Sequence, residues 1–188
     1  IVGDFISNSS SEVDMLNPLA GIVAPMGVYV VTGNHDNLDG SIGIVEDKLH
    51  EIGFKILNNR SEIIDINNKE IVVAGVSDVW YGASPGVAME GVSEDQNVIL
   101  LTHNPDIILF SDSKMADLVI AGHTHGGQIR LPFLGAVPKI PTDLGKKYDR
   151  GLFRYNDQQL FITSGISETG PRARLFVPPE IVNLNIHY

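Results

Sequence analysis

The stretch "VYVVTGNHD", residues 28–36, decides the fold. Val28, Tyr29, Val30 and Val31 form an unbroken apolar run that stops at a Gly-Asn turn. A run of this kind, too short for a helix and rich in β-branched residues, reads as a strand buried on both faces. It ends on Asn34 and His35, residue types that hold metals and move protons, with Asp36 adjacent.

Three other apolar runs end the same way. They are "IVGD" at Asp4, "VILLTH" at His103, and "LVIAGHTH" at His123 and His125. In an open α/β sheet, ligands bind just beyond the carboxyl ends of the strands. Four strands ending together therefore gather Asp4, Asn34, His35, His103, His123 and His125 into one cluster. Glycines precede Asp4, Asn34 and His123, and they allow the sharp turn off a strand tip. The chain has six histidines, and four of them fall in these motifs. His50, in a helical pattern, and His187, near the end, read as ordinary structural residues. In extended chain, alternate residues such as those of His-x-His point to one side.

Asp, Asn and His without Cys form the donor set of a borderline first-row metal: Mn, Fe, Zn, Co or Ni. A carboxylate can bridge two ions. Two ions roughly 3.5–4 Å apart clamp the attacking and leaving oxygens of a phosphoryl transfer.

The other segments predict an α/β chain with a mixed sheet. Val13, Met15, Leu16, Leu19 and Ile22 lie at roughly helical spacing within 11–25. "SIGIVEDKLHEIG" predicts a helix capped by Ser41 and stopped by Gly53. "FKIL", "SEIIDI" and "KEIVVAGV" read as strands, with Asn67–Asn68 as a hairpin turn. Residues 80–96, with the single tryptophan Trp80, read as a long mobile loop holding a short helix. "LFRY" and "QLFITSG" form a hairpin around Asn156–Asp157, and "PPEIVNLNI" alternates as an edge strand.

With 188 residues, 43% of them hydrophobic, the chain fits one domain spanning 1–188. No stretch approaches the ~20 continuous apolar residues of a membrane span. The absence of cysteine excludes disulfides, thiolate zinc sites and a cysteine nucleophile. A net charge of −10 argues against binding to a nucleic-acid backbone. Most of the 23 Asp and Glu residues read as solubilising surface charge.

The order GD, GNHD, H, GHTH resembles the calcineurin-like metallophosphoesterase superfamily. "HNPD", "GHTHGGQIRLPFLG", "KKYDRGLFR" and "RARLFVPPEI" are further similar to the YkuE-type bacterial phosphoesterases. The resemblance implies a four-layer α/β/β/α sandwich with mixed sheets. It implies hydrolysis of phosphomonoester, phosphodiester or pyrophosphate bonds by a metal-bound hydroxide at a dinuclear site. Two divalent ions, Mn, Fe or Zn, are the implied cofactors. Asp4 would bridge them, Asn34, His103 and His123 would complete the second site, and His125 would belong to the first. His35 would face the scissile phosphate. The implied substrate is a phosphate-ester small molecule or a nucleotide-linked lipid.

The superfamily pattern opens with an Asp-x-His block on a first strand, and this sequence shows none before Asp4. On that pattern the chain begins at the end of the second strand, with the first strand and helix missing. It is then expected to bind one ion well, a second weakly, and to turn over poorly. Any membrane contact would come through the segment ahead of residue 1, and the compartment stays open, although relatives of this type are often exported or membrane-associated. Many members carry GD-x-x-D, where this chain has Ser7. Trp80 and Tyr81 read either as a lid or apolar recognition surface, or as a core-capping pair. Arg172 and Arg174, after Gly170–Pro171, read either as phosphate contacts or as a surface pair. The rival from another class is a catalytically impaired metal-binding scaffold of the same fold. A metallo-β-lactamase-like hydrolase is disfavoured, because "HTHGGQ" lacks the Asp-His that follows His-x-His there.

Overall fold

Val30 and Val31 are neighbours in the chain and both fully buried, yet they enter different cores. Alternation along a strand sends successive side chains to opposite faces. In the computed structural model, which describes residues 1–170 and 172–187, β1 (Tyr29–Val30) pairs in parallel with β2 (Lys55–Ile56). Val2 bridges Val31 in the same sense. On one face, Val30 packs with Leu16, Phe54, and Val45 and Leu49 of α1 (Ile42–Glu51). On the other, Val31 and Leu57 pack against Val73 and Leu101 of a second, larger sheet.

That sheet contains β3 (Arg60–Asp65), β4 (Glu70–Gly75), β5 (Asn97–Leu101) and β6 (Leu118–Ala121). After a short hairpin, β7 (Arg130–Leu131) and β8 (Gly135–Ala136), it is completed by β9 (Gly151–Tyr155) and β10 (Gln158–Ile162). The strand order is β3-β4-β5-β6-β10-β9. The four inner strands are parallel to their neighbours within the set, and β3 and β9 are antiparallel edges. The face opposite β1–β2 carries Val72, Ala74, Val98, Leu100, Val119, Ala121, Leu160 and Ile162. It is covered by Ala88 of α2 (Pro85–Ala88) and by Ile107 and Ile108 of a 3₁₀ turn, Pro105–Leu109. Helix, small sheet, large sheet and helical turns thus stack as α/β/β/α, as the resemblance implied.

The hairpin turns lie where the sequence places them. Asn67 and Asn68 both have positive φ, 56° and 64°, and Asn156 has φ 53°. Asparagine tolerates this left-handed region better than most residues. Helix α1 stops at Gly53, with φ 86°.

Three expectations need correction. Residues 11–25 do not form an α-helix. Ser10–Gly21 is a 3₁₀ run, capped by Ser9, whose hydroxyl accepts the Ser11 N–H at 3.2 Å. Val13, Leu16 and Leu19 recur every three residues, which is the 3₁₀ period, and these are the ones that pack inward. Met15 and Ile22, the other members of the proposed helical face, are exposed. Ser41 stands at the N-terminus of α1 but does not cap it through its side chain. A 3₁₀ turn, His35–Gly40, leads into the helix, and the Ser41 hydroxyl donates backward to Leu38 O. Finally, "PPEIVNLNI" makes no strand. Leu184 and Ile186 instead line a shallow cavity together with Asn97, Leu118 and Gln159, from the amino ends of β5, β6 and β10. The alternation alone makes no strand, because a strand also needs a neighbouring edge to pair its backbone with, and among the described residues no such pairing forms here. Among the described residues no helix is long and apolar enough to cross a membrane.

Candidate metal centre

Parallel strands place their carboxyl ends together. Just beyond β5 stands His103, beyond β6 stand His123 and His125, beyond β1 stand Asn34 and His35, and beyond Val2 stands Asp4. One ligand-type atom from each of Asp4, His103 and His123 lies within 4.8 Å of the others. His103 Nε2 is 3.2 Å from Asp4 Oδ2 and 3.0 Å from His123 Nδ1. The ring of His103 is fixed from behind by Val2 O, 2.6 Å from Nδ1.

The backbone is bent to make this cluster. Asp4, His123 and His125 all have positive φ, 56°, 66° and 51°. Non-glycine residues in that region cost energy and concentrate at functional sites. Gly33 is needed for a different reason. A Cβ there would stand 2.2 Å from Asp4 Oδ1 and 2.8 Å from His103 Nδ1. Only a residue without a side chain lets the β1 turn pass so close to both.

Asp36, which sequence reasoning left without a role, organises that turn. Its buried carboxylate accepts four backbone N–H groups. Oδ2 takes those of Gly33 (2.8 Å) and Asp4 (2.9 Å), and Oδ1 takes those of Phe5 (2.7 Å) and Ile6 (3.1 Å). Asp36 thereby ties the Asp4 turn to the Asn34 turn. Burial pushes its pKa up to about 6, against the pull of the N–H donors.

The electrostatics follow from burial and proximity. Burial disfavours the charged form of His103, but the Asp4 carboxylate and Val2 carbonyl outweigh it and hold its pKa above the ordinary value. Asp4 is held below the usual carboxylate range because His103 and the His35 N–H outweigh its burial. His123, buried and beside His103, is lowered to about 3 and stays neutral. A neutral imidazole is the form that ligates metals.

Among the described residues, Asn34 Oδ1 and His123 Nε2 are buried here without a hydrogen-bond partner. A buried acceptor without a donor costs free energy unless a cation satisfies it. With the Asp4–His103–His123 cluster, they form an oxygen and nitrogen donor set suited to a divalent first-row ion. His125 lies outside the tight group of three, with Nδ1 3.3 Å from Ser167 O. It remains within electrostatic reach of Asp4 and His103. His35 is anchored at the rim: its N–H donates to Asp4 Oδ1 at 3.0 Å, and its ring Nδ1 lies 2.6 Å from Ser7 O. The backbone carbonyl of Ser7, rather than an aspartate side chain, orients this imidazole.

Two further residues border the cluster. Asp78 is fully buried, with Oδ1 accepting the Trp80 N–H at 2.9 Å and Oδ2 unpartnered. Nothing in "SDVW" signals a place beside the cluster, because Asp78 follows β4 and comes within electrostatic reach of His103, which follows β5, only when those two strands pair in parallel. Trp80 and Tyr81 are 61% and 45% exposed, so they do not cap a core. Arg174 does not reach for a ligand. It donates to the carbonyls of Ser164 and Ser167, the second being the oxygen that faces His125. Arg172 is exposed, and Pro171 of the proposed Gly-Pro turn lies outside the described residues.

A model of the calcineurin-like phosphoesterase family matches residues 1–127, and this chain belongs to that family. Phosphodiesterase YaeI of Escherichia coli is 30% identical over 99% of this chain and 67% of its own length. The metallophosphoesterase YkuE of Bacillus subtilis is 29% identical over 95% of this chain and 64% of its own. F40B5.2 of Caenorhabditis elegans, also named a metallophosphoesterase, is 30% identical over 88% of this chain and 36% of its own length. The chain thus spans between about a third and two thirds of these relatives.

Proposed function

We propose that this chain carries the hydrolytic centre of a metal-dependent phosphoesterase acting on phosphomonoester, phosphodiester or pyrophosphate bonds of small molecules. The observation that carries this reading is the convergence of Asp4, His103 and His123, with Asn34 Oδ1 and His123 Nε2 buried beside them without partners. Asp4, Asn34, His103 and His123 would hold one ion, and Asp4 with His125 would contribute to a second. Bound divalent ions neutralise phosphate charge and lower the pKa of a coordinated water.

The chain's own residues do the rest. Val2 O fixes the His103 ring, and Asp36 sets the spacing of the Asp4 and Asn34 turns. With Nδ1 of His35 held on Ser7 O, its Nε2 is the ring atom offered to a phosphoryl or leaving oxygen. Its role is to stabilise charge on the phosphoryl group or to protonate the departing oxygen.

The test is metal stoichiometry on the purified chain together with hydrolysis of bis(p-nitrophenyl) phosphate in added manganese. Turnover that is lost in His35→Ala, while bound metal is kept, supports the reading. Metal binding without turnover in the unaltered chain, and in a longer form of the protein, overturns it in favour of a scaffold.

A further inference from the structure

Trp80 is a large apolar side chain that the fold holds firmly in a place where it fills no core. Its ring lies 5.2 Å from that of His123, centroid to centroid, with the planes at 79°. It remains 61% exposed. An indole left in water forgoes the stabilisation that burial would give it, and among the described residues Trp80 is not a member of any of the hydrophobic clusters.

The loop that carries it is tied down on both sides. Asp78 accepts the Trp80 N–H at 2.9 Å through Oδ1, and its carbonyl accepts the Tyr81 N–H at 2.8 Å. Asn59 fastens the flanks. Its Oδ1 accepts the N–H groups of Ser77 (3.3 Å) and Ser84 (2.9 Å), and its Nδ2 donates to Gly82 O at 2.9 Å. Asn59 does this from a left-handed backbone, φ 54°. A loop fastened at its centre and both flanks presents its aromatic ring already ordered, which lowers the entropy cost of binding.

We propose that Trp80 is a specificity-determining residue, a stacking platform for a planar aromatic group carried by the phosphate ester. This rests on the phosphoesterase reading, since it places the phosphate at the Asp4–His103–His123 cluster. The aromatic group is either a nucleobase or an aryl alcohol. Both offer a π face, and an indole stacks on either without needing a specific hydrogen bond.

The chain has one tryptophan, so emission excited at the red edge of the indole band, where its five tyrosines do not absorb, reports on Trp80 alone. The manganese-loaded protein is titrated with adenosine 5′-monophosphate and phenyl phosphate, and in parallel with ribose 5-phosphate and glycerol 3-phosphate. Quenching by one or both aromatic esters, and not by the other two, is expected, and which of them quenches identifies the nucleobase or the aryl group. In Trp80→Ala, calorimetric affinity for the aromatic ester should fall roughly ten-fold, with ribose 5-phosphate affinity and metal stoichiometry unchanged. Trp80→Phe should retain most of it.

Equal loss for aromatic and non-aromatic esters, no loss for either, or loss of metal in Trp80→Ala would each overturn the proposal. The last would make Trp80 a support for His123 only. Selective stacking without turnover of any ester would leave this proposal standing and remove the phosphoesterase reading. Turnover without aromatic preference would do the reverse.

Discussion

Nε2 of His103 lies 3.0 Å from Nδ1 of His123, with Asp4 Oδ2 at 3.2 Å from the same nitrogen. Asp4 stands near one end of the chain and His103 and His123 lie far along it, and only the parallel alignment of strand ends brings the three together. Two imidazoles and a carboxylate at this spacing, in a buried setting, could hold a shared cation.

Manganese should therefore stabilise the chain. An ion at a hundred-fold excess over its dissociation constant adds ~2.7 kcal/mol. Thermal melting with and without manganese should show the rise in the unaltered chain and little of it in His123→Ala. His50→Ala, on α1, should keep the rise.

Gly33→Ala should damage the centre without touching a ligand. The new methyl would meet Asp4 Oδ1 and His103 Nδ1 well inside contact distance. Metal affinity by calorimetry should fall roughly ten-fold or more, and an unchanged affinity would show that the Asp4 turn can yield.

Asp36 admits no conservative replacement. Each of its oxygens accepts two N–H groups. Asparagine keeps one acceptor oxygen and turns an NH₂ toward the other pair of donors. Asp36→Asn and Asp36→Ala should both destabilise the fold by about 3 kcal/mol or more in denaturant titration. A mild asparagine variant would refute this account of the turn.

Ser7→Ala should leave hydrolysis within about two-fold of the original, because His35 is oriented by the Ser7 carbonyl and not by its hydroxyl. A large loss of kcat in this variant would give the hydroxyl a role of its own.

Glu180 Oε1 accepts the Thr163 hydroxyl at 3.0 Å and the Ser164 N–H at 2.7 Å. Burial raises its pKa, but these bonds outweigh it and hold the carboxyl below its ordinary value. A carboxylate depressed in the folded state stabilises above its unfolded pKa, about 4.3, and loses that contribution as the pH falls through the folded value. Melting temperature followed from pH 7 downward should show Glu180→Gln less stable at neutral pH and converging on the original chain in acid.

The strand-and-turn framework was legible because its signals are local. Unbroken Val and Ile runs mark buried strands, and Asn67–Asn68 and Asn156–Asp157 mark the turns that asparagine permits. The ligand-type residues were legible because each stands directly after such a run. Local reading failed where a period was misjudged or a partner was distant. Val13, Leu16 and Leu19 repeat at three, not 3.6, and the alternation after Pro179 forms no strand.

The sequence by itself determined that ligand-type residues follow the strands. Covalent order carries that, since a glycine and a ligand-type residue after an apolar run require no distant contact. The tertiary structure decided the rest. It set which donors meet, that Asp36 binds the two turns through four N–H groups, that Ser7 holds His35 by its backbone, and that Trp80 stands against His123. Each of these joins segments remote in the chain, and their meeting depends on strand order and register, which no local pattern encodes.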